Sequence, residues 1–147
     1  MALRTNAVLY HLVYVSVASR PLGEHDLLDL LESARTHNAK VGITGMLLFR
    51  DGAFMQGLEG PKKEVLELFD RITKDERHDC VIVLSQGPIE SRSFPDWSMG
   101  FKSPSEADMV KLAGYRSFAD LAREPKDRAA ASSVARKLLD SFRVPQT

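Results

Sequence analysis

A run of apolar residues from Val8 to Ala18 sets the first limit on the fold. The side chains of a strand alternate between its two faces, and this run is apolar at both odd and even positions. It therefore indicates a strand buried on both faces, in a sheet that needs cover on each side. The length of 147 residues suits one compact domain.

The remaining pattern predicts an α+β fold. Asp51-Gly52 is a strong hairpin signal, because a two-residue type I′ turn needs positive φ at both positions. The predicted elements are a strand Val8–Ala18, a turn Arg20–Gly23, a helix His25–His37, strands Val41–Arg50 and Ala53–Glu59, a helix from Gly60-Pro61 to about Asp75, and strands Cys80–Ser85 and Phe94–Phe101. This order is a ferredoxin-like β-α-β-β-α-β sandwich with an extra fifth strand.

The two crossover helices of such a sandwich share one sheet face, so the C-terminal segment must cover the other. Apolar residues recur there at helical spacing: Ala131, Val134, Ala135, Leu138 and Phe142. We predict C-terminal capping helices over residues 103–147, packed on a core of residues 1–102 within the same compact unit.

Composition excludes several classes of function. The formal net charge is zero, which argues against nucleic-acid binding. The four histidines are far apart in sequence, so we expect no metal, and Cys80 lies in an apolar run as a small core residue. No apolar stretch approaches the roughly 18 residues of a membrane span. Residues 1–6 lead directly into the first strand without a signal sequence, so we predict a cytoplasmic protein.

Two polar side chains lie where apolar ones are expected. Tyr14 is in the middle of the first strand, and Gln56 shares a strand face with Phe54 and Leu58. An unpaired buried amide costs a few kcal/mol, so both residues should have partners. Either they satisfy each other across neighbouring strands, or the sheet and helices leave a slot for a planar polar ligand.

Other polar residues have an ordinary structural explanation as well. Asn38 follows the last apolar position of a helix, where a left-handed C′ residue is common. Arg71 and Asp75 are spaced i, i+4, as in a surface ion pair. Trp97 and Met99 share a face by strand alternation, so both can be core residues. From the residues alone, the interpretation stops at an α/β sandwich with room for a ligand.

At these positions the sequence resembles the BLUF family, the sensors of blue light using FAD, from about Leu9 to Phe101. Single pieces of the resemblance are weak, whereas all of them in order are highly specific. They are Leu12-Val-Tyr-Val-Ser16, Asn38 ahead of Gly42-Ile-Thr-Gly45, Phe54-Met-Gln-Gly-Leu-Glu-Gly60, Arg71-Ile72, Asp75-Glu-Arg-His78 and Phe94-Pro-Asp-Trp-Ser-Met-Gly100.

The resemblance implies a blue-light photoreceptor with a noncovalent flavin, either FAD, FMN or riboflavin. Tyr14 matches the tyrosine that donates an electron and then a proton to the excited flavin, and Gln56 the glutamine between them. Trp97 and Met99 match the pair that exchanges places near Gln56 in debated models. The flavin-binding residues implied are Tyr14, Leu30, Asn38, Gln56, Arg71, Ile72, Asp75 and His78.

The family also implies an output and leaves an alternative. A chain of this kind catalyses no reaction, and we expect it to signal through its C-terminal helices to a partner protein or a homo-oligomer.

The sequence departs from many members of the family at His37, where a second Asn is common, and at Ala34, where some have Ser. Without the resemblance, His37 is expected to be an exposed residue in the last helical turn. The competing function is a ferredoxin-like acylphosphatase-type enzyme with Arg20 in its anion loop, or a small-ligand binding domain.

Overall fold

The computed structural model describes residues 8–113, 118 and 128–141. These residues form five strands and four helices in the predicted order. The elements are β1 (Leu9–Ala18), α1 (Glu24–Val41), β2 (Thr44–Arg50), β3 (Ala53–Pro61), α2 (Lys62–Thr73), β4 (His78–Pro88), β5 (Gly100–Lys102), α3 (Glu106–Ala113) and α4 (Arg128–Ser141).

The five strands form one sheet in the order β4-β1-β3-β2-β5. Neighbouring strands are antiparallel, except that β5 runs parallel to β2. The strand β1 lies between β3 and β4, and its sequence is apolar at both parities because both faces of the sheet are covered. The ferredoxin-like sandwich with a fifth strand is confirmed.

Each face of the sheet has its own core. On one face, Leu12, Tyr14 and Leu58 pack with Leu31 of α1 and Val65 of α2. The opposite face buries Val13, Val15, Met55 and Leu84 together with residues that follow the sheet in sequence, namely Met109, Phe118, Ala135, Leu138 and Leu139. The predicted cover by the C-terminal segment is therefore present.

The C-terminal helix α4 packs on the sheet through several of the apolar residues predicted for it. Ala135 and Leu138 are fully buried, and Val134 packs at the edge of the same core. Leu139, which we did not predict, is also buried, and its Cδ1 atom lies 3.1 Å from the position that a Cβ on Gly57 would take. Phe142 and the side chain of Ala131 lie outside the described residues.

The turns explain where the elements end. Asp51 and Gly52 have φ of 49° and 75°, so the predicted hairpin turn is confirmed. The helix α1 continues to Val41 and ends at Gly42, whose φ of 77° gives the left-handed cap. The prediction that Asn38 takes this cap position is wrong, because Asn38 still lies within the helix.

Other boundaries need correction as well. The predicted strand over Phe94–Phe101 is restricted to Gly100–Lys102, and β2 begins at Thr44 rather than Val41 because α1 occupies the preceding residues. The helix α2 ends at Thr73, and Pro61 precedes it instead of forming its first turn. Cys80 is exposed, with φ of 52°, so its assignment to the core is wrong. At this point β4 departs from regular strand geometry.

Candidate functional site

A cavity of about 390 Å³ lies between the two crossover helices and the sheet face that they cover. This volume falls within the range of small-molecule sites, about 300–1,000 Å³. All eight residues predicted to bind a ligand line it: Tyr14, Leu30, Asn38, Gln56, Arg71, Ile72, Asp75 and His78. They come from β1, β3, α1, α2, the turn before β4 and the first residue of β4, and only the fold brings them together.

Tyr14 and Gln56 form the buried centre of this site. They are direct partners in the β1–β3 register, and 2% and 5% of their surfaces are exposed. Burial, and to a lesser degree the charge of Asp75, raises the pKa of the Tyr14 hydroxyl far above its ordinary value. The hydroxyl therefore keeps its proton and donates it in a hydrogen bond to Gln56 Oε1. Both alternatives considered for these residues are present: the two side chains satisfy each other, and they line a cavity between the sheet and the helices.

The orientation of the Gln56 amide follows from this hydrogen bond. Because Oε1 accepts from Tyr14, Nε2 points the other way and donates to Met99 Sδ at 3.3 Å. A primary amide has two N–H groups, and a thioether is a weak acceptor. Gln56 can therefore present a further donor to a ligand in the cavity.

Asn38 is a buried amide that is only half satisfied by the protein. Its Nδ2 donates to the carbonyl of Ser98 at 2.9 Å. Its Oδ1 is buried and has no hydrogen-bond partner within the described part of the chain. Because an unpaired buried acceptor is costly, Oδ1 indicates a ligand that offers an N–H group.

The charged side of the cavity has a different pairing from the one predicted. Asp75 binds Arg77, with Oδ2 and Nη2 2.7 Å apart, and not Arg71. Hydrogen bonds from the Arg77 side chain lower the pKa of Asp75 to about 2. Arg71 instead approaches the ring of His37 at 3.3 Å. An i, i+4 ion pair on α2 is therefore absent at this position, since Asp75 lies beyond the helix end.

Two imidazoles face the cavity, and the pKa of each is lowered from its ordinary value. His78 is within 3.1 Å of Ser16 Oγ through Nδ1, and burial lowers its pKa despite the nearby charge of Asp75. Burial, followed by the charge of Arg71, lowers the pKa of His37. His37 is partly buried and lines the cavity, so its interpretation as an exposed last-turn residue is wrong.

Trp97 and Met99 lie on opposite sides of the sheet, contrary to the prediction that they share a face. Met99 is 2% exposed and belongs to the core beneath α1 and α2, beside Gln56. Trp97 packs against the core of the C-terminal face, with its ring stacked on Phe94 at 6.0 Å. Strand alternation fails here because β5 begins only at Gly100.

Several cavity residues were not singled out from the sequence: Ser33, Leu47, Phe54, Leu68, Lys74 and Arg77. Spacing could have found two of them. Leu68 is i, i+4 with Ile72 on α2, and Phe54 is i, i+2 with Gln56 on β3. By contrast, Arg20 of the acylphosphatase alternative is outside the cavity, where its largely exposed side chain lies 3.7 Å from Asp26.

Within the described ranges, no three or more of His, Cys, Asp and Glu are grouped so that they can hold a metal ion. Nor does any helix there have the length and apolar character needed to cross a membrane.

The comparisons with known proteins agree with the site. The family described as BLUF, sensors of blue-light using FAD, matches residues 9–100. Photoactivated adenylate cyclase subunit beta of Euglena longa is 38% identical over 95 residues, which are 64% of this chain and 11% of that protein. The chain thus spans about a tenth of the length of the curated relatives it matches.

Two solved structures match nearly from end to end. The dark-state structure of the BLUF protein BlrB is 31% identical with a TM-score of 0.72, covering 92% of this chain and 98% of that one. The photo-activated state of BlsA is 30% identical with a TM-score of 0.74, covering 94% and 99%. The chain belongs to the BLUF family of flavin-dependent blue-light sensors, and over this length it resembles photoreceptors rather than enzymes.

The residues of the cavity fit a flavin. An isoalloxazine ring is flat and largely apolar, with a polar pyrimidine edge. The apolar side chains of Leu30 and Ile72 line the same cavity as the unpaired oxygen of Asn38 and the amide of Gln56. The site therefore offers apolar contacts for the flavin ring and hydrogen-bonding groups for its polar edge.

Proposed function

We propose that Tyr14 and Gln56 are the light-driven switch of this sensor, and that the flavin is held by the eight cavity residues predicted from the sequence. The observation that carries the proposal is the buried hydrogen bond from Tyr14 to an amide that lines the cavity. A tyrosine is the side chain in this site that can lose an electron, and its hydroxyl already has an acceptor for the accompanying proton.

Bound flavin supplies a chromophore that becomes a strong oxidant when it absorbs blue light. With a flavin bound, Tyr14 would give up one electron to the excited ring, and its hydroxyl proton would pass to Gln56 Oε1 along the existing hydrogen bond. The electron would then return to Tyr14 with one proton from Gln56, taken from Oε1 if the amide has rotated and from Nε2 if it has tautomerised, so no net oxidation remains. Gln56 is left as a rotated or tautomerised amide, with a changed hydrogen bond toward the cavity.

The other residues bind and orient. Asn38 Oδ1 accepts a hydrogen bond from the pyrimidine edge, which satisfies its unpaired oxygen. Leu30 and Ile72 provide apolar contacts with the ring. Arg71 and His78 supply polar groups at the cavity wall, and Asp75 fixes Arg77 there through its ion pair. Because these contacts concern the ring, FAD, FMN and riboflavin should all bind.

For the output, we propose a path from Gln56 through Met99 to the C-terminal helices. Met99 Sδ is the acceptor of the Gln56 amide, so a change in that amide alters the contact directly. Trp97 is two residues away and packs against the core that α4 helps to form. Residues 1–102 are then the sensor, and residues 103–147 pass the signal to a partner protein or within a homo-oligomer.

We further propose that the chain signals by contact with a partner and catalyses no reaction itself. We also propose that it acts in the cytoplasm. The Euglena longa relative combines its matched segment with a much longer chain whose name includes adenylate cyclase. Because the chain is similar to BlrB and BlsA, we propose that its own role is to pass the light signal to an effector.

The experiment that tests this proposal releases the bound flavin for identification and then reconstitutes the protein with added flavin. Protein purified in dim light is precipitated with acid, and the supernatant is separated by chromatography against FAD, FMN and riboflavin standards. We expect one or more of these flavins in stoichiometric amount. Protein that lacks flavin as isolated, and that stays colourless after reconstitution with each of the three, would contradict the proposed site.

A further inference from the structure

Three successive carbonyl groups, those of Trp97, Ser98 and Met99, are each held by a donor from a neighbouring element. Gly45 N of β2 donates to Trp97 O at 3.0 Å. On α1, Asn38 Nδ2 donates to Ser98 O and Arg35 Nε to Met99 O, both at 2.9 Å. We call residues 97–99 the clamped segment.

The clamp determines which side chain faces Gln56. With the three peptide groups fixed, Met99 points to Gln56 and Trp97 to Phe94 on the opposite face. Exchanging the two side chains requires these peptide groups to turn, which breaks their hydrogen bonds. A side chain on Gly45 would also prevent the arrangement, because its Cβ would lie 2.0 Å from Gly57 O and 3.3 Å from Met99 Cε.

Of the three donors, only the Arg35 side chain can be removed without touching the cavity. The Gly45 donor is a backbone group, and Asn38 lines the cavity. Arg35 is an exposed residue that is absent from the cavity wall. Its replacement therefore leaves both cores and the flavin contacts in place.

We propose that Arg35 is a positioning residue that keeps Met99 against Gln56 and Trp97 on the C-terminal face. Its importance for signalling rests on the proposed role of Gln56, but the arrangement itself is measurable in the dark. One hydrogen bond is worth about two- to tenfold in the ratio of two arrangements. Without the Arg35 bond, the fraction of molecules with Trp97 turned toward the cavity should rise by about that factor.

Trp97 provides the probe, because it is the one tryptophan of the chain. Its emission is quenched by a nearby flavin, so the fluorescence decay of the dark holoprotein separates molecules with Trp97 near the cavity from those with Trp97 remote. Arg35→Met should increase the amplitude of the short-lived component by about two- to tenfold. Arg35→Lys, whose ammonium group can donate to the same carbonyl, should restore the wild-type decay.

Arg20→Met is the matched control, because it removes an exposed guanidinium remote from the clamped segment. Its decay should equal that of the wild type. Equal decays in Arg35→Met and the wild type, with flavin bound in both, would overturn the proposal. So would the same change in Arg20→Met, which would assign the effect to net charge. The proposed switch is tested by a separate result. A normal photocycle in Gln56→Leu would contradict the switch, but it would not affect the interpretation of the dark decay of Arg35→Met.

Discussion

Tyr14 and Gln56 face each other directly on adjacent antiparallel strands, and the hydroxyl of one donates to the amide oxygen of the other. Their contact is thus set by the register of β1 and β3. A slip of one residue in either strand would turn one of the two side chains to the opposite sheet face. The donor and the amide therefore lie on paired strands at the centre of the sheet.

The first prediction concerns the hydroxyl of Tyr14. Tyr14→Phe should retain the flavin, because the ring still fills the core, but it should abolish the reversible red shift of the flavin band under blue light. Tyr10→Phe is the matched control on the same strand, since the Tyr10 hydroxyl bonds Gln86 outside the cavity. A normal photocycle in Tyr14→Phe would exclude this hydroxyl as the proton donor.

The second prediction concerns the Gln56 amide. Gln56→Leu keeps the volume of the side chain but removes the group that accepts from Tyr14 and donates to Met99. We expect flavin to remain bound and the red shift to be lost. Gln86→Leu, on the exposed edge of the sheet, should behave as the wild type in the same absorption measurement. If Gln56→Leu shifts reversibly, the switch lies elsewhere.

The third prediction concerns Asn38, whose Oδ1 we assign to the flavin edge. Asn38→Ala should weaken flavin binding by about 5- to 150-fold, which corresponds to the loss of a buried hydrogen bond of about 1–3 kcal/mol. Titration of apo protein with flavin, followed by fluorescence quenching, gives the dissociation constant. Arg20→Met is the control, because it removes an exposed guanidinium that lies outside the cavity. Equal affinities for Asn38→Ala and the control would contradict the assignment.

The fourth prediction concerns pH and the pair of Asp75 with Arg77. The pKa of Asp75 is lowered from 3.8 to about 2, so its ionised form stabilises the fold above the unfolded value and this contribution disappears as pH falls through the folded value. Asp75→Asn should lower the free energy of unfolding of apo protein at pH 7 by about 1 kcal/mol, a figure reduced for solvent screening. About half of the difference from wild type should be gone at pH 3. A difference that is the same at pH 7 and pH 3 in urea unfolding would exclude the ionisation of Asp75 as its cause.

The fifth prediction concerns the C-terminal helix α4. Light should weaken its packing on the sheet, so amide hydrogen exchange over residues 134–141 should accelerate by about two- to tenfold under blue light. Met99→Ala, which removes the sulfur that accepts from Gln56, should reduce this acceleration. Identical exchange in light and dark, with the absorption shift intact, would mean that the signal is transmitted through another surface. The helical turn of α1 that contains His37 and Asn38 would then be examined first.

Local patterns were enough to predict the architecture. The run of apolar residues at Val8–Ala18 indicated a strand buried on both faces, and Asp51-Gly52 indicated the hairpin; both are confirmed. These features depend on side-chain alternation and on turn conformation, which neighbouring residues largely decide. The pairing of Tyr14 with Gln56 followed because strand alternation predicts which face each residue occupies.

The details that failed depend on contacts distant in sequence. Asn38 looked like a helix cap, but its amide is buried against Ser98, sixty positions along the chain. Trp97 and Met99 were assigned to one face, but the backbone there is held by hydrogen bonds and forms no strand. Cys80 was placed in the core because its neighbours are apolar, whereas it has a positive φ and is exposed. The spacing of apolar residues along the chain does not contain this information.

The most direct test of the account is the light-minus-dark absorption spectrum of the purified holoprotein. If the Tyr14–Gln56 pair switches a bound flavin, blue light should shift the flavin band to longer wavelength without bleaching it, and the spectrum should return fully in the dark. A flavin band that is unchanged by light, or that bleaches without recovering, would contradict the proposed switch.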